Sequence, residues 1–336
     1  MKTNEQSLIQ LALAYSRNYD LLYDHENTEE SKKMKIKLFD PYTDISEEKI
    51  IKEVLRSHNW ASGGGSNYVE RFEINFRKYL KTKSCTTLNS GTAALHLALS
   101  LFDIKNKEVL LPSLSFVATA HAVIYNGGIP KFVDVNEEDL CIDIENIENS
   151  LNKKSSVILP VHFGGMPANI SQIKKICKQR SLNLVEDAAH AAGAHYGNKK
   201  IGSHGDAVCF SFHPVKNLAM PTGGAITLNN NEFREQEIEL KSKRWCGIIN
   251  REGMNYDVDK IGWNYYMNEF SGAIGVEQLK KLDKLNHKKR IIAKRYSQEI
   301  KINDKMSYEQ NSSYHLYWIR VKNRKDFIKK MTNAGI

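Results

Sequence analysis

Lys216 lies on a turn between two apolar runs, within GDAVCFSFHPVKNLAMPTGGAIT at residues 205–227. The runs AVCFSF and GGAIT have the β-branched and aromatic character of short buried strands, and His-Pro and a Gly pair punctuate the turn. A lysine held there is drawn out of water, which disfavours its ammonium form. The neutral amine can then condense with a carbonyl as a Schiff base. Pyridoxal phosphate is the cofactor this chemistry calls for, and it sets three further demands. A carboxylate must face the pyridine nitrogen. A helix N-terminus or nest of N–H groups must take the dianionic phosphate. A flat apolar side chain must cover the ring.

Separate segments offer a candidate for each. Asp187, in NLVEDAAHAAGAHY, follows the strand-like run LNLV at 182–185. At the end of a parallel strand it would lie in the ligand crevice of an open α/β sheet. The local pattern equally allows it to cap a helix starting at Ala188. Asn89-Ser90-Gly91-Thr92 is a polar turn leading into an amphipathic helix with Leu95, Ala98, Leu99 and Phe102 at helical spacing. Ser90 or Thr92 could cap that helix, and its first N–H groups would point at an anion. Ser211 could add a hydroxyl. Phe116 follows the buried run Val109–Leu111 and the break Pro112-Ser113, where a helix starts at about Val117. It reads either as a ring-stacking side chain or as an ordinary core phenylalanine.

The rest of the chain must position these groups. From 85 to 228, strand-like runs (VLLP, KFVDV, SVILPV, LNLV, AVCFSF, GAITL) alternate with helical patterns. That alternation predicts an α/β fold, a mostly parallel sheet with helices on both faces. Upstream, residues 45–60 read as a helix ending at Trp60, SGGGSN as a loop, and Tyr68–Tyr79 as a second helix. GGGS lies between helices and lacks Lys-Ser/Thr, so it is not a phosphate loop. Downstream, 268–300 reads as one long helix and YHLYWIRV (314–321) alternates like a strand. KDFIKKMTNAGI reads as a helix with a C-cap at Gly335. Residues 1–35 stand apart, with Leu8, Ile9, Leu11, Leu13, Tyr15, Leu21 and Leu22 in amphipathic helices before a polar linker.

Composition bounds the function. A hydrophobic content of 41% and a charged content of 26% over 336 residues suit a soluble protein with one large α/β domain and a smaller one. The five cysteines are scattered without a CxxC pair, which points to a reducing cytoplasm rather than a disulfide framework or zinc ribbon. No run approaches the roughly 18 apolar residues of a membrane span, and the N-terminus lacks a signal-peptide pattern. The net charge of +9 is spread mostly over Lys-rich helix faces such as KKLDKLNHKKRIIAKR, which read first as solvated faces and second as a region that attracts an anionic nucleotide diphosphate. No motif points to nucleic acid. The histidines, His213 included, lack metal-ligand spacing, and no GxGxxG marks a Rossmann nucleotide-sugar enzyme.

Seven motifs carry a family likeness: NSGTAALHLAL, PSLSFVATAHAV, GGIPKFVDV, LPVHFGGMPANI, VEDAAHAAGAHY, GSHGDAVCFSFHPVKN and IGWNYYMNEFSGAIGVEQL. In this order and spacing the chain, from about residue 36 onward, resembles the DegT/StrS family of pyridoxal-phosphate-dependent nucleotide-sugar aminotransferases. The resemblance implies the type I pyridoxal-phosphate transferase fold, with a large cofactor domain at 36–250 and a small α+β domain at 251–336. It implies that Lys216 carries the cofactor, Asp187 pairs with the ring nitrogen, His190 lies beside the ring and Phe116 stacks on it. Gly91, Thr92 and Ser211 would hold the phosphate. Asn264 would reach the phosphate of a neighbouring subunit, making a homodimer with shared sites. The amino donor would be L-glutamate and the acceptor a keto group of a nucleotide-linked deoxysugar.

The chain also departs from the family. Thr222 replaces the usual acid before the Gly pair, and Tyr266 stands where Arg is usual. The family sequence continues past the position of Ile336 with a substrate-contacting segment. The expectation is therefore an incomplete small domain and reduced activity. Two other readings carry over: a cofactor-binding regulatory homologue, and a keto-sugar dehydratase. The family's dehydratases have histidine at the position of Lys216.

Overall fold

Period-two alternation along the central strands sends their side chains into two separate cores. The computed structural model describes residues 40–334, apart from Ser62 and Ser66. The expected 1–35 unit, the family start at 36–39 and the Gly335 cap lie outside the described residues. The strands are β1 (Thr86–Leu88), β2 (Glu108–Pro112), β3 (Ile129–Val133), β4 (Ser155–Ile158), β5 (Asn183–Asp187), β6 (His195–Tyr196), β7 (Lys199–Lys200), β8 (Ala207–Ser211), β9 (Gly224–Leu228), β10 (Ile248–Glu252) and β11 (Asn255–Val258). The helices are α1 (Ile45–Ser57), α2 (Asn67–Leu80), α3 (Gly91–Leu99), α4 (Val117–Tyr125), α5 (Ile144–Ser150), α6 (Ile170–Arg180), α7 (Phe233–Lys243), α8 (Glu269–Glu299) and α9 (Arg324–Asn333).

Seven strands form one sheet in the order β1-β9-β8-β5-β4-β2-β3. Only β9 runs against the other six, pairing antiparallel with β1 and β8. The remaining pairs are parallel. Leu110, Ile158, Leu184, Val208 and Phe210 enter one core, with Phe72 and Phe76 of α2. Val109, Leu111, Val157, Val185, Ala207 and Cys209 enter the other, with the small residues Ala93, Ala94 and Ala98 of α3. Burial on both faces explains why these strands read as unbroken apolar runs. Phe76 packs edge-on against Phe210 at 5.1 Å and against Phe212 at 5.4 Å. Truncating such a ring costs about 3–5 kcal/mol.

α1 and α2 pack on α8. Asp44 and Glu47 form a capping box at the start of α1. Lys281 of α8 ties them down, with Nζ at 2.8 Å from Asp44 and 2.6 Å from Glu47.

Three expectations are corrected. The first helix stops at Ser57, not Trp60, because His58 takes a left-handed C-cap conformation (φ 55°). Residues 314–321 form no strand. Tyr314 has φ 47°, and the nearby N–H groups of Ser313 and Leu316 donate to Gly165 O and Gly164 O instead. Asp187 caps no helix, because turns rather than a helix follow β5. β1 has no apolar run of its own and was not expected. Among the described residues, no helix is long and apolar enough to cross a membrane.

Candidate active site

The C-terminal ends of β1, β2, β5 and β8 lie on one edge of the sheet, where a cavity of about 510 Å³ opens. That volume suits a small ligand. Gly91, Thr92, Phe116, Asp187, His190, Ser211 and Lys216 all line it. Of the expected site residues only Asn264 does not.

β5 delivers Asp187 as its last residue, buried to 4% exposure. Its Oδ2 accepts from Thr119 Oγ1 of α4 at 2.9 Å, and its Oδ1 accepts from the Ala189 N–H at 3.0 Å. Burial pushes its pKa up, against the pull of those two donors and of the Lys216 charge. A buried carboxylate with one donor on each oxygen is a ready acceptor for a cationic N–H. Burial lowers the pKa of Lys216, and Asp187 opposes that shift. Burial, then the Lys216 charge, holds the pKa of His190 down at about 3. The His190 ring is therefore neutral, with Nδ1 accepting from Gly164 N–H at 3.3 Å and the proton on Nε2. It lies against the His315 ring at 4.4 Å.

The end of the cavity at the start of α3 is built from backbone contacts. Ser90, not Thr92, caps α3 by accepting from Ala93 N–H at 3.1 Å. Gly91 and Thr92 open the helix at the cavity wall, where leading N–H groups favour an anion. A Cβ on Gly91 would lie 2.6 Å from Ser211 Cβ, and one on Gly224 would lie 2.2 Å from Ser90 O. Replacing Gly91 with alanine should therefore push α3 off β8. It is expected to weaken cofactor binding about 10- to 100-fold, read by absorbance titration with pyridoxal phosphate. An unchanged affinity would place the phosphate elsewhere.

Phe116 is the N-cap residue of α4, 71% exposed at the cavity wall, which excludes the core reading in this chain. Thr222 also lines the cavity, and its hydroxyl donates to Asn89 O. Asn264 is exposed, while its neighbours Trp263 and Tyr265 turn into a separate recess with His96 and Tyr125.

Sequence reading missed two groups. Thr119 follows Phe116 by three residues, so one face of α4 supplies both, and that spacing was the available signal. Beneath the site, His162 Nε2 donates to Glu186 Oε2 at 2.8 Å, and Glu186 also accepts from Gly205 N–H. Both side chains are fully buried and fix the end of β5.

The family model of the DegT/DnrJ/EryC1/StrS aminotransferase family matches residues 41–336. The chain belongs to that family. It is 33% identical over 286 residues to the GDP-perosamine synthase of Vibrio cholerae, covering 84% of this chain and 76% of that protein. It is 35% identical over 285 residues to the UDP-4-amino-4,6-dideoxy-N-acetyl-beta-L-altrosamine transaminase of Campylobacter jejuni, covering 81% and 75%. Helicobacter pylori PseC, an aminotransferase of pseudoaminic acid biosynthesis, superposes with a TM-score of 0.83 at 29% identity, over 90% of this chain and 83% of that one. A Streptococcus pneumoniae sugar aminotransferase in its PLP form gives 0.83 at 25% identity, over 90% and 83%. Membership makes the chain an aminotransferase and pyridoxal phosphate its cofactor. The buried acid, the enclosed lysine and the glycine-lined helix start fit that group.

Proposed function

We propose that the enzyme transfers an amino group from an amino acid, L-glutamate, to a keto group of a nucleotide-linked deoxysugar, for a surface polysaccharide or a glycosylated metabolite. The observation that carries this reading is Lys216 and the buried Asp187 in one cavity. The names of the similar proteins supply the nucleotide-sugar class. When bound, the cofactor supplies an electron sink for the donor's α-carbon.

In this reading Lys216 Nζ holds the cofactor, and once displaced it takes the proton from the donor's Cα. Its lowered pKa favours the neutral amine needed for both tasks. Asp187 keeps a proton on the ring nitrogen. Gly91, Thr92 and Ser211 take the phosphate, Phe116 covers the ring and His190 flanks it. The large cofactor domain spans 36–250. Incubation with glutamate and a panel of UDP-, dTDP- and GDP-linked keto-sugars tests the assignment. Failure to form 2-oxoglutarate with any of them would count against it and for a regulatory homologue.

The reading includes a cytoplasmic homodimer. Val117, Ile124 and Tyr125 of α4 and Ile129 and Phe132 of edge strand β3 are exposed apolar side chains of the kind a second copy covers. Asn264, exposed and not part of its own cavity's lining, would serve the partner's site. Mixing Asn264→Ala with Lys216→Ala chains should then recover about a quarter of native activity, because half the random dimers hold one intact site. No recovery on mixing would confine Asn264 to its own chain.

A further inference from the structure

Asn217, directly after Lys216, has its buried side chain gripped on three sides. Its Nδ2 donates to Asn286 Oδ1 of α8 at 2.9 Å and to Ser313 O at 2.7 Å, and its Oδ1 accepts from Lys289 Nζ of α8 at 2.7 Å. The same partners reach the rest of the site. Asn286 Nδ2 donates to Ala192 O at 2.9 Å, and Ser313 Oγ donates to His190 O at 2.9 Å. The turn that carries Lys216 and the loop that follows Asp187 are thus fastened to one frame.

Lys289 is the unusual member. Among the described residues it pairs with no carboxylate, and Asn217 Oδ1 is its hydrogen-bond partner. Burial alone brings its pKa down to about 8. The titratable groups around this frame are Lys216 on the turn, His190 after β5 and His315 on the 312–316 segment. His315 is held neutral by burial and by the charges of Lys216 and Lys289. Asp187 is the carboxylate that acts on Lys216. Lys289 is half-buried, and an ammonium without a carboxylate partner is costly there, where an apolar side chain would pack at less cost. A charge-assisted bond to a neutral amide is about twice as strong as a neutral one. That extra strength bears on the residue next to the reactive lysine.

We propose that Lys289 is a positioning residue for Lys216, acting through Asn217. The inference rests on the reading of Lys216 as the lysine that condenses with the cofactor. The full chain, stripped of cofactor, would be mixed with pyridoxal phosphate and reduced with borohydride. Labelling of Lys216 would be followed by peptide mass spectrometry across pH. Lys289→Met should slow labelling about tenfold at pH 7, and Lys289→Arg should stay within about twofold of native. Asn217→Ala should slow it as well, and adding Lys289→Met to it should cost nothing more. The native advantage over Lys289→Met should shrink above about pH 8, where Lys289 loses its charge, while the Arg variant's advantage persists. If Lys289→Met does not fold, Lys289→Gln takes its place. Native-rate labelling in the Met or Gln variant, or effects that multiply with Asn217→Ala, would overturn the proposal. An unlabelled Lys216 in the native chain would overturn both this inference and the reading beneath it.

Discussion

Replacing Lys216 with alanine is expected to abolish turnover and, with it, the visible absorbance of lysine-bound cofactor. Two tasks converge on one nitrogen. Condensation with the cofactor needs a neutral amine, and proton transfer at the donor's α-carbon needs a base held beside it. Among the described residues, the cavity wall offers no second lysine. His190 is not a substitute base, since its proton lies on Nε2 and its Nδ1 is already engaged by Gly164 N–H. The loss should be on the order of 10⁴-fold or more. The half-reaction with glutamate, followed by absorbance, measures it directly. Retention of both turnover and the visible band would sink the assignment of Lys216.

Asp187→Asn separates activity from stability. The variant should still bind cofactor, because the phosphate end and Lys216 are untouched. It should lose about 10³-fold in rate, or about 4 kcal/mol of transition-state stabilisation, because a neutral amide does not hold a proton on the ring nitrogen. Stability without cofactor should move the other way. Burial raises the folded-state pKa of Asp187 above its ordinary value. A raised carboxylate pKa means the folded state binds protons more tightly than the unfolded one. Stability is then lost as pH rises from the unfolded pKa through the folded one, and the cost is fully present above it. Asparagine carries no such cost and keeps a partner for Thr119. At pH 7 the cofactor-free variant should melt above the native chain. Both losses together, in rate and in melting temperature, would make Asp187 a structural residue.

Much of this was legible in the residues. The runs VLLP, SVILPV, LNLV and AVCFSF are strands because a sheet buried on both faces demands continuous apolar residues. The turn groups Gly91, Asp187, Ser211 and Lys216 could be found because each sits where such a run meets a helix or a turn. What failed was of two kinds. YHLYWIRV has strand alternation, yet its backbone hydrogen bonds are divided. Leu316 N–H donates to Gly164 O, about 150 residues earlier, while Arg320 N–H donates to Asp304 O and Trp318 O accepts from Met306 N–H. Thr119 and Asp187, 68 residues apart, and Asn217 and Lys289, 72 apart, meet only because of strand order and the path of α8. No local pattern encodes that proximity. Phe116 shows a third limit: an aromatic after a strand looks the same whether it faces a core or an open cavity.

The close approach of Gly91 to Ser211 and of Gly224 to Ser90 leaves the cavity with two unlike poles. At one pole, backbone lies against backbone or against a Cβ, and any added side chain collides. Elsewhere the cavity's wall is made of side chains, those of Phe163, His213 and Val215 among them. Mutation can explore that wall without disturbing the glycine pole. A lineage built on this frame can vary the side-chain wall of its cavity while the glycine pole stays fixed, so changes in what the cavity accepts lie within reach of single substitutions.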